Sequence, residues 1–119
     1  MRTVNDSLCS GQSMGSSYNG SAQSVEQIYG FSVQAVYTGT PTGTLKLQAS
    51  NDAPPAGSSS GSWAPTNWTD IPTQSVSLTG SAGSTLFEVA NSNYRFIRLV
   101  YVQSASTGSL SARFNGKGV

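Results

Sequence analysis

Three carboxylates in the middle of the chain, Asp52, Asp70 and Glu88, are the residues best able to do chemistry. Glycoside hydrolysis needs two such groups about 5 to 10 Å apart, flanking the bond that breaks. Nothing in the spacing of these three argues for such a pair. Asp52, beside Asn51, could also join loop carbonyls around Ca²⁺, which prefers oxygen ligands. We predict solvated or salt-bridged acids, with no catalytic role and no metal.

The side chains that would assist a nucleophile are missing. Serines are abundant, but there is no histidine to act as the base that serine catalysis needs. Cys9 is the single cysteine, so neither an intrachain disulfide nor a zinc site is expected. The sequence has no Gly-x-Ser-x-Gly elbow and no phosphate-binding loop. We therefore expect a protein that is not an enzyme, carries no cofactor and keeps Cys9 as an inert thiol.

The composition indicates one folded, β-rich domain with a polar but weakly charged surface. Of 119 residues only 9% are charged, and the net charge is +1. So small a net charge gives no electrostatic reason to bind nucleic acid or an anionic membrane. It also tolerates dense packing against other copies, which hints at a homo-oligomer. The start lacks the apolar region of a secretory signal, so we expect synthesis in a cytoplasm.

Residues 23–119 have the pattern of an all-β domain, an antiparallel β-sandwich or jelly roll of about seven to eight strands. Alternating runs at 28–37 and 44–50 flank a Pro/Gly turn and predict an antiparallel pair. Further strands are predicted at 68–71, 75–79, 85–89, 94–103 and 109–115, with a hairpin turn at 104–108. No helical period interrupts them.

Residues 1–22 are polar and show no period. One interpretation is a disordered tail. We favour an extended N-terminal arm that becomes ordered on a neighbouring subunit, with Leu8, Met14 and Tyr18 as its anchors. The predicted organisation is therefore an arm over 1–22 and a sandwich domain over 23–119.

Three further residues of interest lie in the apolar run at 94–102, in the long loop at 51–67 and directly after that loop. Arg98 lies inside the apolar run and needs a partner, because an unpaired buried charge is costly. The three carboxylates are its candidate partners, and we predict a structural role. Trp68 adjoins an apolar strand and is predicted to lie in the core. Trp63, among glycine, serine and proline, is predicted to contact a partner.

Four segments, in this order, resemble a known group of proteins. They are Gly43–Asp52 (GTLKLQASND), Asn67–Ile71 (NWTDI), Tyr94–Tyr101 (YRFIRLVY) and Gly108–Gly118 (GSLSARFNGKG). The arginine-bearing strand is similar to one in discoidin-like (galactose-binding-like) jelly rolls. Together the four resemble small structural proteins of tailed bacteriophage virions, over roughly residues 28–119. Secreted discoidin domains carry a disulfide that ties their ends, which this chain cannot form.

The resemblance implies a virion protein, and in particular a capsid decoration (cement) protein. Such a protein would clamp neighbouring capsid subunits through its arm and its sandwich surface, as a homo-oligomer, with a trimer as one arrangement. Its partners would be the major capsid protein or other virion proteins, and neither nucleic acid nor membrane. The alternative is a carbohydrate-binding or host-adhesion module on a phage head or tail, which would hold a glycan with Trp63 and the loop at 51–67.

Overall fold

The computed structural model describes residues 2–54 and 63–118, and all regular secondary structure in these ranges is β. No helix there could cross a membrane. Residues 55–62 of the predicted loop lie outside the described residues. The strands are β1 (Arg2–Ser13), β2 (Tyr18–Asn19), β3 (Gln23–Ser24), β4 (Ile28–Gly39), β5 (Thr42–Ser50), β6 (Thr69–Thr79), β7 (Gly83–Val89), β8 (Phe96–Ala105) and β9 (Gly108–Gly118).

The strands form two antiparallel sheets packed as a sandwich, which confirms the predicted fold class. The first sheet has the order β1-β9-β4-β7. The second has the order β2-β8-β5-β6, and β3 also pairs with β8. Because β2 and β3 span two residues each, the long strands make most of the pairing.

The core consists of alternating residues from the inner faces of both sheets, as the period of two predicts. In β8, Ile97, Leu99 and Tyr101 are at most 1% exposed. Burial of an apolar side chain of this size contributes about 1.5 to 3 kcal/mol. Other buried apolar side chains include Phe31, Val33, Ala35, Leu45, Leu47, Leu110, Ala112 and Phe114.

Two connections that were predicted as hairpins instead cross from one sheet to the other. β4 pairs with β7 and β9, whereas β5 pairs with β6 and β8. The turn between β4 and β5 contains Pro41, whose side chain is fully buried, unlike that of an exposed hairpin tip. The turn at 104–108 likewise joins β8 to β9 in the opposite sheet. A crossing leaves the same alternation in the flanking strands as a hairpin does, so the sequence pattern could not distinguish them.

The N-terminal segment differs from the predicted arm, because from residue 2 it belongs to the sandwich. β1 pairs with β9 of its own chain along its whole length. Met14 is 0% exposed, while Leu8 and Tyr18 are half-buried and pack against the core. All three predicted anchors therefore contact this chain. The register shifts twice, between Ser7 and Gln12. Such bulges remove the strict alternation by which a strand is recognised in a sequence.

Candidate functional site

A row of polar side chains crosses the outer face of the second sheet. Gln48 in β5 lies opposite Arg98 in β8 on one side and Asp70 in β6 on the other. Residues two apart in an extended chain share a face, so Lys46 and Trp68 lie on this same side of the sheet. These five residues, Lys46, Gln48, Trp68, Asp70 and Arg98, are called the cross-strand network below.

Hydrogen bonds connect the network across three strands. Arg98 donates from Nε and Nη2 to Gln48 Oε1, at 2.9 and 2.7 Å. Gln48 Nε2 in turn donates to Asp70 Oδ1 at 2.9 Å. Lys46 Nζ donates to Asp70 Oδ2 at 3.0 Å. The guanidinium carbon of Arg98 also lies 4.5 Å from the centre of the Trp68 ring, a cation–π distance.

These contacts revise the prediction for Arg98. Among the described residues, its hydrogen-bond partner is the amide of Gln48, and that amide links it to the carboxylate of Asp70. Partial burial lowers the pKa of Arg98. The hydrogen bonds from Gln48 and Lys46 lower the pKa of Asp70. The structural role predicted for Arg98 therefore takes the form of a stacked cation that helps to align three strands.

Aromatic side chains extend the network toward one end of the sheet. Trp68 is half-buried on the outer face, so the prediction that it lies in the core is wrong. Its indole Nε1 donates to the carbonyl of Pro65 at 3.2 Å. The ring of Trp63, also half-buried, lies 5.7 Å from that of Phe96. Trp63 thus packs on an outward-facing residue of β8, with part of its surface accessible.

An open cleft of about 550 Å³ lies at this end of the sandwich. Its lining mixes carboxylates, amides, hydroxyls and a few apolar groups: Ala49, Ser50, Asn51, Asp52, Asn67, Thr69, Asp70, Ile71, Pro72 and Tyr94. Asp70 belongs both to the cleft and to the cross-strand network. The cleft is therefore continuous with that network. Its side chains can donate hydrogen bonds to a polar, uncharged molecule and accept hydrogen bonds from it.

Asp52 fixes the loop at the rim of this cleft. Its Oδ2 accepts hydrogen bonds from the backbone amides of Thr66 and Asn67, at 2.8 and 2.9 Å. The side chain of Asn67 donates to Oδ1 at 3.0 Å. The bonds from Asn67, followed by that from Thr66, hold the pKa of Asp52 below its usual value. Asp52 is thus occupied by protein donors and organises the segment that carries Trp63.

We expect acid to release this segment at a pH below the ordinary titration range of aspartate. The folded-state pKa of Asp52 is lowered, so its bonds stabilise the loop fully above the unfolded value of about 3.9. That contribution is lost as the pH falls through the lower folded value. The amide proton shifts of Thr66 and Asn67, followed by NMR, should titrate together with a midpoint below about 3.9. A midpoint at or above that value would contradict the assignment, and Asp52→Asn should show no such titration.

The other residues singled out for chemistry lie apart from this site. Glu88 is exposed on β7, in the first sheet. Cys9 is half-buried, and its Sγ lies 3.7 Å from the carbonyl of Leu110. Burial raises the pKa of this thiol, which lowers its thiolate fraction near neutral pH. Within residues 2–54 and 63–118 no three acidic or cysteine side chains are grouped as metal ligands.

Sequence reasoning did not identify Lys46 and Gln48 as part of a site. Their only signal was polar side chains at alternate positions of an amphipathic strand, which is what any solvent-facing strand shows. It also missed an apolar patch on the first sheet, where Leu86 is 62% and Val36 47% exposed. Gln34, two residues before Val36, lies opposite Leu86, which brings the two apolar side chains to the same outer face.

Comparison with known proteins gives structural neighbours only. No family model matches the chain, and no curated protein matches it by sequence. The SPBc2 prophage-derived protein YomS has a similar structure, with a TM-score of 0.54 and 13% identity over 98% of this chain and 95% of YomS. At that identity the likeness shows a shared fold.

Two further solved structures are more distantly similar. One comes from Bacillus endospore appendages, a family of disulfide-linked pili, with a TM-score of 0.47, 14% identity, and coverage of 98% of this chain and 89% of that one. The other is a CBM4 structure, with a TM-score of 0.48, 10% identity, and coverage of 85% of this chain and 61% of that one.

Proposed function

We propose that this chain is a non-enzymatic structural protein of a bacteriophage particle, and specifically a capsid decoration protein. The observation that carries the proposal is the full-length likeness to the prophage-derived YomS, which spans nearly all of both chains. The weakly charged composition is compatible with close packing on a lattice of identical subunits. Under this proposal the protein is located on the virion and binds the major capsid protein. It stabilises the particle by burying surface area between itself and the capsid subunits.

The contacts with the capsid come from the body of the sandwich. The three predicted anchors of the N-terminal segment, Leu8, Met14 and Tyr18, pack on this chain's own core, and β1 pairs with β9. The outer face of the first sheet offers an alternative, because Val36 and Leu86 form an apolar patch among polar neighbours. Exposed apolar patches rimmed by polar residues are typical of protein-interaction surfaces.

The test is incorporation into particles. Tailed phage particles that display empty decoration sites are mixed with the purified full-length chain and separated on a density gradient. Wild type should comigrate with the particles at a fixed ratio to the capsid protein, and Leu86→Lys with Val36→Lys should reduce that ratio at least tenfold. Ser77→Lys with Thr79→Lys adds the same charge to exposed positions of β6 in the second sheet and serves as the matched control, which should join particles normally. Absence of wild-type protein from the particle fractions would reject the decoration role.

A second function, glycan binding, is supported by a separate observation: the cross-strand network and its adjoining cleft. Arginine, glutamine, lysine and aspartate side chains stand beside two tryptophans on one exposed face. Planar polar groups can bond sugar hydroxyls, and aromatic rings offer an apolar surface to a sugar ring. The chain would then be a host-adhesion module on a phage head or tail.

Glycan binding is tested separately from particle incorporation. The full-length chain is applied to an array of neutral and acidic bacterial glycans, and any binder is confirmed by calorimetry. Trp63→Ala should abolish the signal while thermal unfolding stays close to that of wild type. Glu88→Gln, on the other sheet, is the matched control and should bind normally. An array without signal for the wild-type chain would reject this second function.

A further inference from the structure

The N-terminal strand β1 leaves one long edge of the first sheet open. It is the outermost strand in the order β1-β9-β4-β7, and its residues 2–7 pair with residues 118–113 without a register shift. Over this stretch the backbone on the side away from β9 has no neighbouring strand among the described residues. An edge of this kind is a template for another extended chain.

The other edges have features that oppose strand addition. β6 is interrupted by Pro72 and by Thr73, which has a φ of 64°. In β7 the backbone amide of Glu88 donates to Gln74 Oε1 at 3.3 Å. The remaining edge is split between β2 and β3, two residues each. β1 contains neither lysine nor proline, the residues that commonly protect edges. Bulges interrupt it only beyond Ser7.

We infer that this edge pairs with the same edge of a second copy of the chain, antiparallel and about a twofold axis through Val4. In that register Val4 lies opposite Val4 of the second copy, and Thr3 lies opposite Asn5. Arg2 of each copy lies opposite Asp6 of the other. The two four-stranded sheets then become one eight-stranded sheet.

Charge complementarity selects this register over its neighbours. A twofold interface is self-complementary, so each pair of positions occurs twice. Centring the axis on Asn5 would place Asp6 opposite Val4 and leave both charges without a partner. A parallel, in-register pairing would set Arg2 beside Arg2 and Asp6 beside Asp6. Opposite charges across a strand pair are stabilising and like charges are destabilising.

This inference gives the homo-oligomer expected from the sequence a location, and it rests on the proposed function in that a particle lattice would bring the copies together. The pairing adds a short run of backbone hydrogen bonds and little apolar area, so it is weak in dilute solution. On a lattice that holds copies side by side, the same contact is favoured by high effective concentration.

Disulfide trapping of the full-length protein tests the register. In a Cys9→Ser background, Val4→Cys should form a covalent dimer with oxidised glutathione in concentrated solution, because side chains on the axis face each other. Thr3→Cys in the same background is the matched control and should stay monomeric. Thr3→Cys mixed with a size-tagged Asn5→Cys chain should give the mixed dimer. Failure of Val4→Cys to dimerise more than Thr3→Cys overturns the inference.

Charge exchange provides an independent readout by sedimentation velocity. Asp6→Lys should weaken association at least fivefold without changing thermal unfolding, and adding Arg2→Glu should restore it. If the double variant does not recover, the register is wrong. Particle incorporation distinguishes the two proposals. If the wild-type chain joins particles but Val4→Cys forms no disulfide dimer, the proposed function stands and the edge pairing is rejected. If Val4→Cys forms the dimer but the wild-type chain does not join particles, the edge pairing stands and the proposed function is rejected.

Discussion

Replacing Met14 by alanine should lower the free energy of unfolding by about 2 to 5 kcal/mol, the usual cost of removing a large buried aliphatic side chain. Met14 is 0% exposed and belongs to the core cluster. It directly follows β1, the strand that pairs with β9. The deletion leaves a cavity where the chain passes from the first sheet toward the second. Urea unfolding monitored by tryptophan fluorescence would measure the effect as a lower midpoint with an unchanged slope.

Met14→Leu is the matched control, because a swap of similar volume usually costs less than about 1.5 kcal/mol. Hydrogen exchange of the isolated protein adds a second readout. Backbone amides that β1 bonds to β9 should be protected without any partner. Unchanged stability of Met14→Ala, together with immediate exchange over residues 2–13, would contradict the intrachain strand and restore the arm hypothesis.

Replacing Arg98 by methionine should destabilise the protein by about 1 to 2 kcal/mol, since it removes two hydrogen bonds from a charged donor at a half-exposed site. Methionine keeps an apolar stem against the Trp68 ring, so the loss reports the guanidinium. Gln48 Oε1 is left without its protein donor, and the amide no longer has a fixed orientation toward Asp70. Chemical unfolding measures the change.

A double-mutant cycle separates this interaction from general effects of losing a charge. Arg98→Met and Gln48→Met, alone and combined, should give a coupling energy of at least about 0.5 kcal/mol. Arg113→Met, an exposed arginine on the other sheet, is the control and should change stability by less than about 0.5 kcal/mol. Additive effects of Arg98 and Gln48 would show that the hydrogen bonds between them contribute nothing to stability.

The two proposed functions place different demands on these variants. If the chain decorates capsids through the first sheet, Arg98→Met should still join particles, because the cross-strand network lies on the opposite sheet. If it binds glycans through that network, the same variant should lose binding while remaining folded at room temperature. The network is thus a structural feature in the first case and part of the recognition surface in the second.

The sequence by itself determined the fold class, since alternating apolar residues and turn clusters require two sheets that bury one face each. The period of two also separates Ile97, Leu99 and Tyr101 from Arg98 on opposite faces of β8, although only the structure shows which face is buried. Tertiary structure alone decided how the strands connect, because turns that cross between sheets leave the same local pattern as hairpins. The tertiary structure also placed β1 in the first sheet, although its sequence is polar and its pairing is bulged, because β1 pairs with residues about a hundred positions away. It also gave Arg98 an amide partner, because cross-strand neighbours depend on register between strands, which no local period encodes.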